Sequence, residues 1–231
     1  MSYLYLLINI ASVIVPLIFS FHPKIQFYKQ WRYFFPALAI SLLIFIPWDV
    51  YFTHIGVWGF NARHLIGLTV FNLPIEEVLF FICIPYACVF TYHCLYILIK
   101  KNYFLQFENT ISIILVLLLL VVSIFNVNKL YTSVTFGALA LFIIFLKYVL
   151  HVKWLHRFYF AYLFLMIPFF VVNGILTGSG IDEPVVWYNH AQNLNIRILT
   201  IPFEDVFYGM LLLLLTISVY EYLIKKNKPQ Q

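Results

Sequence analysis

The segment Ile111–Phe125 reads ISIILVLLLLVVSIF, fifteen residues without a charge and without two-residue alternation of apolar and polar side chains. Hydrocarbon offers no partner to a backbone N–H or C=O, so a chain carrying such runs crosses lipid as a helix or as a closed barrel. Barrel strands alternate. This one does not, and helices remain. Seven stretches reach or nearly reach the length that spans a ~30 Å hydrocarbon core. They run near Tyr3–Phe21, Phe34–Phe52, Ile75–Ile99, Thr110–Val127, Thr132–Leu150, Phe158–Leu176 and Pro202–Ile224. Only 10% of the residues are charged and 64% are hydrophobic, where a soluble domain carries about 25% charged residues. Lipid is the solvent. The first stretch has no basic leader and no small-residue cleavage site, so it is expected to stay as a span.

Charge then predicts orientation. Lys24, Lys29, Arg32, Lys100, Lys101, Lys147, Lys153, Arg157, Lys225, Lys226 and Lys228 follow the odd-numbered spans, and only Arg63, Lys129 and Arg197 fall on the other side. The positive-inside rule makes the eleven-residue side cytoplasmic, with the N-terminus outside and the C-terminus inside. The net charge of +5 is accounted for by topology and implies no nucleic acid. Cys83, Cys88 and Cys94 lie on one span, where Cys88 faces away from the other two at helical pitch. They read as packing residues.

A shift of 128 residues lays Phe60 on Tyr188, Asn61 on Asn189, Pro74 on Pro202, Glu76 on Glu204, Glu77 on Asp205, Val78 on Val206, Phe80 on Tyr208 and Tyr92 on Tyr220. After a slip of three, LIKKN at Leu98–Asn102 recurs at Leu223–Asn227. The expected organisation is therefore a three-helix repeat over 1–102, a connector helix over 103–129 and a second repeat over 130–231. Three helices and a connector bring both repeats into the membrane in the same direction. Parallel repeats of this kind commonly carry their site where the repeats meet.

Of nine acidic residues, Glu108, Asp182, Glu183 and Glu221 sit in loops or at helix ends. Asp49, Glu76, Glu77, Glu204 and Asp205 lie within or at the lip of apolar runs, and a carboxyl at membrane depth marks function by default. The repeated motif is Pro74-Ile-Glu76-Glu77 and Pro202-Phe-Glu204-Asp205. A well-formed helix N-terminus accounts for a proline and an acid in the first turn. It does not account for the repetition, the apolar setting and Asp49 together. Two adjacent carboxyls at this depth cannot both ionise cheaply, and an acid beside a carboxylate suits general acid–base work. Trp48, Tyr51, Trp58, Phe60, Phe80, Phe81, Trp187, Tyr188, Phe203, Phe207 and Tyr208 surround them in sequence, and aromatic faces stabilise cations. Acid with an aromatic cage suggests protonation of an alkene and guidance of a carbocation.

No G-x-G-x-x-G or P-loop motif occurs and no D-D-x-x-D, the seven histidines are scattered, and the last span holds no interior lysine. Nucleotide sites of those types, Mg²⁺-assisted diphosphate ionisation, a di-iron hydroxylase and a retinal Schiff base are thereby disfavoured. A redox-neutral reaction without metal or cofactor is expected.

At these residues the chain resembles the membrane lycopene cyclase family, which occurs as two small subunits or as one fused chain. The first half resembles it through Trp48-Asp49, Trp58-Gly-Phe60-Asn61, Gly67, Pro74-Ile-Glu76-Glu77 and Phe80-Phe81. The second half does so through Pro184, Tyr188-Asn189, Arg197, Pro202-Phe-Glu204-Asp205, Tyr208-Gly209 and Glu221. Ala62 departs from the pattern, which has proline after Asn61. The resemblance implies a multi-pass cell-membrane enzyme that closes the ends of lycopene or a related linear carotenoid. Glu76, Glu77, Glu204 and Asp205 form the expected acid–base set. Asp49, Trp58, Phe60, Asn61, Tyr188, Asn189, Arg197 and Tyr208 are expected to bind or orient. Self-association and association with other carotenoid enzymes are left open. A hydratase acting on the same cation and a proton-coupled transporter are the competing functions. Product analysis separates the first, and a polar path to the inner face would mark the second.

Overall fold

Each long apolar run closes its backbone hydrogen bonds internally, and in the computed structural model, which describes residues 3–227, seven helices result. Lys228, counted above among the inner basic residues, and the extreme ends of the two repeats lie outside the described residues. The helices are α1 (Leu4–Phe19), α2 (Trp31–His54), α3 (Ile75–Leu98), α4 (Glu108–Phe125), α5 (Leu130–Ile144, extended by a π turn Phe145–Val149), α6 (Leu155–Leu176) and α7 (Phe203–Lys226). Six spans, from α2 to α7 with their adjoining turns, are long and apolar enough to cross a membrane. Helix α1 is equally apolar but has 16 residues, about 24 Å at 1.5 Å per residue. It is shorter than the stretch its composition marks because Ser20 and His22 close into turns, their amides bonding to Pro16 and Phe19. Prolines 16, 36, 47, 85 and 168 lie inside helices, which membrane helices tolerate.

Between α2 and α3 run three short strands, β1 (Trp58–Phe60), β2 (Thr69–Val70) and β3 (Leu73–Pro74). Between α6 and α7 run three more, β4 (Val186–Tyr188), β5 (Arg197–Ile198) and β6 (Ile201–Pro202). Their bounds, and those of α3 and α7, repeat at the 128-residue shift. So does the backbone. Phe71 and Leu199 turn their hairpins at φ 56° and 58°, and Gly67 and Asn195 sit at 88° and 58°. Positive φ is costly for a leucine or phenylalanine, and here it is enforced by a two-residue turn closing directly onto a helix.

The chain divides into two compact units, Met1–His54 with Ala62–Leu98 and Leu212–Gln231, and Ile55–Asn61 with Ile99–Leu211. In the first unit α1 and α2 pack on α3. Its core is aromatic, with Phe27 against Phe34, Tyr86 and Phe90. In the same unit Tyr92 of α3 donates to Glu221 of α7 at 2.7 Å, and Tyr220 of α7 lies 3.5 Å from His93 Nδ1 of α3. These two pairs exchange under the repeat shift. In the second unit α4 packs on α5, and β1 pairs antiparallel with β4. Trp58 faces Tyr188, Gly59 faces Trp187 and Phe60 faces Val186. The ribbon also maps onto itself under the shift: the Asn61 amide donates to Val185 and the Asn189 amide to Val57.

Candidate active site

Two acid sites are built alike, one in each unit. In the first, Leu73-Pro74 ends the β2–β3 hairpin and the Ile75 amide donates to Leu68 at 2.9 Å, which seats the hairpin on the first turn of α3. That turn carries Glu76 and Glu77, both buried. Their position complements the positive end of the helix dipole, and burial obliges them to find donors. The Ile66 amide donates to Glu76 Oε1 at 2.6 Å, and Tyr5 of α1 donates its hydroxyl to Glu77 Oε2 at 2.5 Å. Asn9, one turn along α1, donates to the Glu76 carbonyl at 2.7 Å. Glu76 Oε2 is buried and has no hydrogen-bond partner among the described residues. Asp49 is buried on α2, where the Thr53 hydroxyl lies 3.5 Å from its Oδ1. Phe80 stands 6.0 Å from the Tyr5 ring and Phe81 6.2 Å from that of Phe45, which stacks on Trp48.

In the second unit the Phe203 amide donates to Ile196 at 2.9 Å, and the first turn of α7 carries the buried Glu204 and Asp205. Glu204 Oε1 accepts from the Leu194 amide and from the Thr132 hydroxyl of α5, each at 2.6 Å. Glu204 Oε2, like its counterpart, is buried with no partner among the described residues. Asp205 Oδ1 accepts from Tyr131 of α5 at 2.7 Å. Its Oδ2 accepts from Tyr188 of β4 at 2.8 Å and lies 3.4 Å from the Asn173 amide nitrogen of α6. Over this pair Trp58 meets Tyr131, Tyr188 and Tyr208 at ring separations of 5.1, 6.4 and 5.9 Å.

Of the residues expected to orient substrate, Trp58, Tyr188 and Tyr208 gather around Asp205, and Asp49 is buried in the first unit. Arg197 lies with its guanidinium 5.9 Å from the Tyr188 ring centre and donates to the Thr200 carbonyl. Phe60 is on β1 opposite Val186. Asn61 and Asn189 do local work: Asn61 donates to Glu183 at 2.9 Å, and Asn189 donates to Gly56 and accepts from the Ala191 amide. They shape the ribbon ends. Tyr5, Asn9, Tyr131, Thr132 and Asn173 are absent from the sequence expectations although each bonds an acid or its backbone. The detectable signal is a second shift, of 126, which lays Tyr5 on Tyr131. Among the described residues no three His, Cys, Asp or Glu side chains converge as metal ligands would.

A carboxyl with one oxygen held by a backbone amide and the other unpartnered, next to a carboxyl fixed by a tyrosine, under aromatic rings, is equipped to give and take protons next to a cation. A family model described as lycopene cyclase matches residues 2–95 and 128–223. A bifunctional lycopene cyclase/phytoene synthase of Aspergillus oryzae is 35% identical over 63 residues, covering 27% of this chain and 11% of the relative. Proteins of the same description match from Arthroderma gypseum, 36% over 64 residues (28% and 10%), and Pyrenophora tritici-repentis, 29% over 92 residues (37% and 15%). The matches thus take in a small part of those longer proteins. No solved structure matches the chain significantly. With the family model spanning both repeats, the chain belongs to the lycopene cyclase family.

Proposed function

We propose that the protein is a carotenoid cyclase that closes the linear ends of lycopene, or of a related carotenoid, by acid catalysis without net redox change. The observation that carries this is the duplicated acid pair, buried in the first turn of α3 and of α7 and bonded from the first helix of its own repeat. One carboxyl of a pair protonates the terminal double bond. The internal double bond attacks the resulting tertiary cation, closing a six-membered ring. A carboxylate then removes a proton to set the ring double bond, so the product is an isomer of the substrate. Aromatic faces such as those of Trp58, Tyr131 and Tyr208 stabilise the cation by about 2 kcal/mol when desolvated. Asp49, Asn61, Asn189 and Arg197 orient or tune the acids, and Phe60 belongs with the substrate-orienting residues.

The enzyme sits in the cell membrane as two repeats, 1–102 and 130–231, joined by a connector over 103–129. The repeated element bounds support this division. The N-terminus lies outside and the C-terminus in the cytoplasm, on the strength of the basic residues that follow the odd spans. The reaction needs the linear carotenoid and the bilayer as partners, and no cofactor. The test is pigment chromatography of a lycopene-accumulating bacterial strain expressing the chain. Appearance of a ringed carotenoid is the expected result; unchanged lycopene from a chain shown to be inserted in the membrane would overturn the proposal.

A further inference from the structure

Adjacent carboxyls in each repeat have different hydrogen-bond environments: the first glutamate of each has a buried oxygen without a donor among the described residues, and the second carboxyl accepts from a tyrosine of its own repeat's first helix. Glu204 Oε1 receives two donors, from Leu194 and Thr132, while Oε2 is buried and receives none from the described residues. Glu76 Oε1 receives the Ile66 amide, and its Oε2 is likewise buried without a partner among them. An ionised oxygen buried without a donor is among the most expensive arrangements available. The geometry suits a proton donor, with Oε1 as the carbonyl acceptor and Oε2 as the hydroxyl oxygen. Asp205 is the reverse. Donors reach both its oxygens, Tyr131 at Oδ1 and Tyr188 with Asn173 at Oδ2. With one donor assigned to it, Oδ1 keeps a lone pair to accept a proton. Glu77 Oε2 accepts from Tyr5 in the same manner.

We propose, resting on the cyclase function above, that Glu76 and Glu204 donate the initiating proton through Oε2, and that Glu77 and Asp205, seated by Tyr5 and Tyr131, accept the terminating one. The donor gives its proton to the inner, CH carbon of the terminal double bond, which leaves the tertiary cation on the dimethyl carbon, and it becomes a carboxylate. The acceptor takes a proton from a carbon beside the new ring cation, whose C–H electrons become the ring double bond. The pair is reset when the proton passes back from the second carboxyl to the first, so atoms and charge balance without a co-reactant. Tyr5 and Tyr131 are positioning residues: they fix which hydrogen the carboxylate reaches, and so which ring isomer forms.

The experiment compares membranes carrying the parent, the Glu76→Gln/Glu204→Gln chain and the Tyr5→Phe/Tyr131→Phe chain, each supplied with lycopene in deuterium oxide. The glutamine chain is expected to form no ring and to leave recovered lycopene free of deuterium. The phenylalanine chain is expected to incorporate deuterium and close rings, with a lower turnover number, an unchanged KM and a shifted ratio of ring isomers. An unchanged isomer ratio in the phenylalanine chain would overturn the positioning role. Deuterium uptake by the glutamine chain would overturn the donor assignment. Should the glutamine chain not insert, the isomer ratio of the phenylalanine chain decides. A parent that forms no ring refutes the cyclase function itself, an outcome separate from either of these.

Discussion

Thr132 and Leu6 occupy the same place in the two repeats under the 126-residue shift, yet only Thr132 bonds a catalytic candidate, donating to Glu204 at 2.6 Å. Phe60 and Phe80 likewise stand where the second repeat has Tyr188 and Tyr208, and Tyr188 donates to Asp205. Thr132 and Tyr188 thus give the acids of the second unit donors that Leu6 and Phe60, which carry no side-chain donor, cannot give. Removing one donor from a buried acceptor costs about 1–3 kcal/mol, and each ~1.4 kcal/mol in a barrier is about tenfold in rate. Thr132→Val is thus expected to lower turnover about tenfold or more while the amount of inserted protein, read by immunoblot, stays near the parent's. Turnover equal to the parent's would mean that this hydroxyl is idle in the reaction.

At the scale of elements, the β1–β4 ribbon and the two hairpins do the positioning. Gly59 faces Trp187 across the ribbon, and a Cβ built on Gly59 would overlap the Trp187 indole. Gly59→Ala is expected to lower the melting temperature of the detergent-solubilised protein. Leu199 is held at φ 58°, a region where a side chain costs about 1–2 kcal/mol. Leu199→Gly is expected to preserve or raise the melting temperature and Leu199→Val to lower it; the opposite order would contradict the role of the turn. These strands were invisible to pattern reading for a physical reason. Strands of two or three residues show no period, and their signal is turn geometry enforced on Phe71 and Leu199, residues that favour no turn. The helices were legible because lipid leaves no alternative for runs such as Ile111–Phe125, and Glu76, Glu77, Glu204 and Asp205 stood out because charge in such runs is rare. Tyr5 and Tyr131 did not, since an aromatic residue in an apolar helix looks like packing until its hydroxyl is seen to meet a carboxylate.

For the whole molecule, the two repeats share element order but not loop lengths. Asp49 and Asn173 correspond at a shift of 124, Tyr5 and Tyr131 at 126, and the acid pairs at 128. The second repeat is shorter between its first two helices and longer before its ribbon. A single shift therefore finds the acids and misses the residues that hold them. The basic residues fall on alternate ends of the spans, so a reporter fused to the C-terminus is expected to score cytoplasmic, and an external score would invert the orientation. The central claim is that this chain isomerises a linear carotenoid with its own carboxyls. Its most direct test is mass spectrometry of the product made by the purified protein in lipid vesicles, supplied with lycopene and nothing else. A ringed product of the same mass as lycopene, absent with Glu76→Gln/Glu204→Gln, is the predicted result. A product heavier by one water, or no conversion by the folded parent, would contradict it.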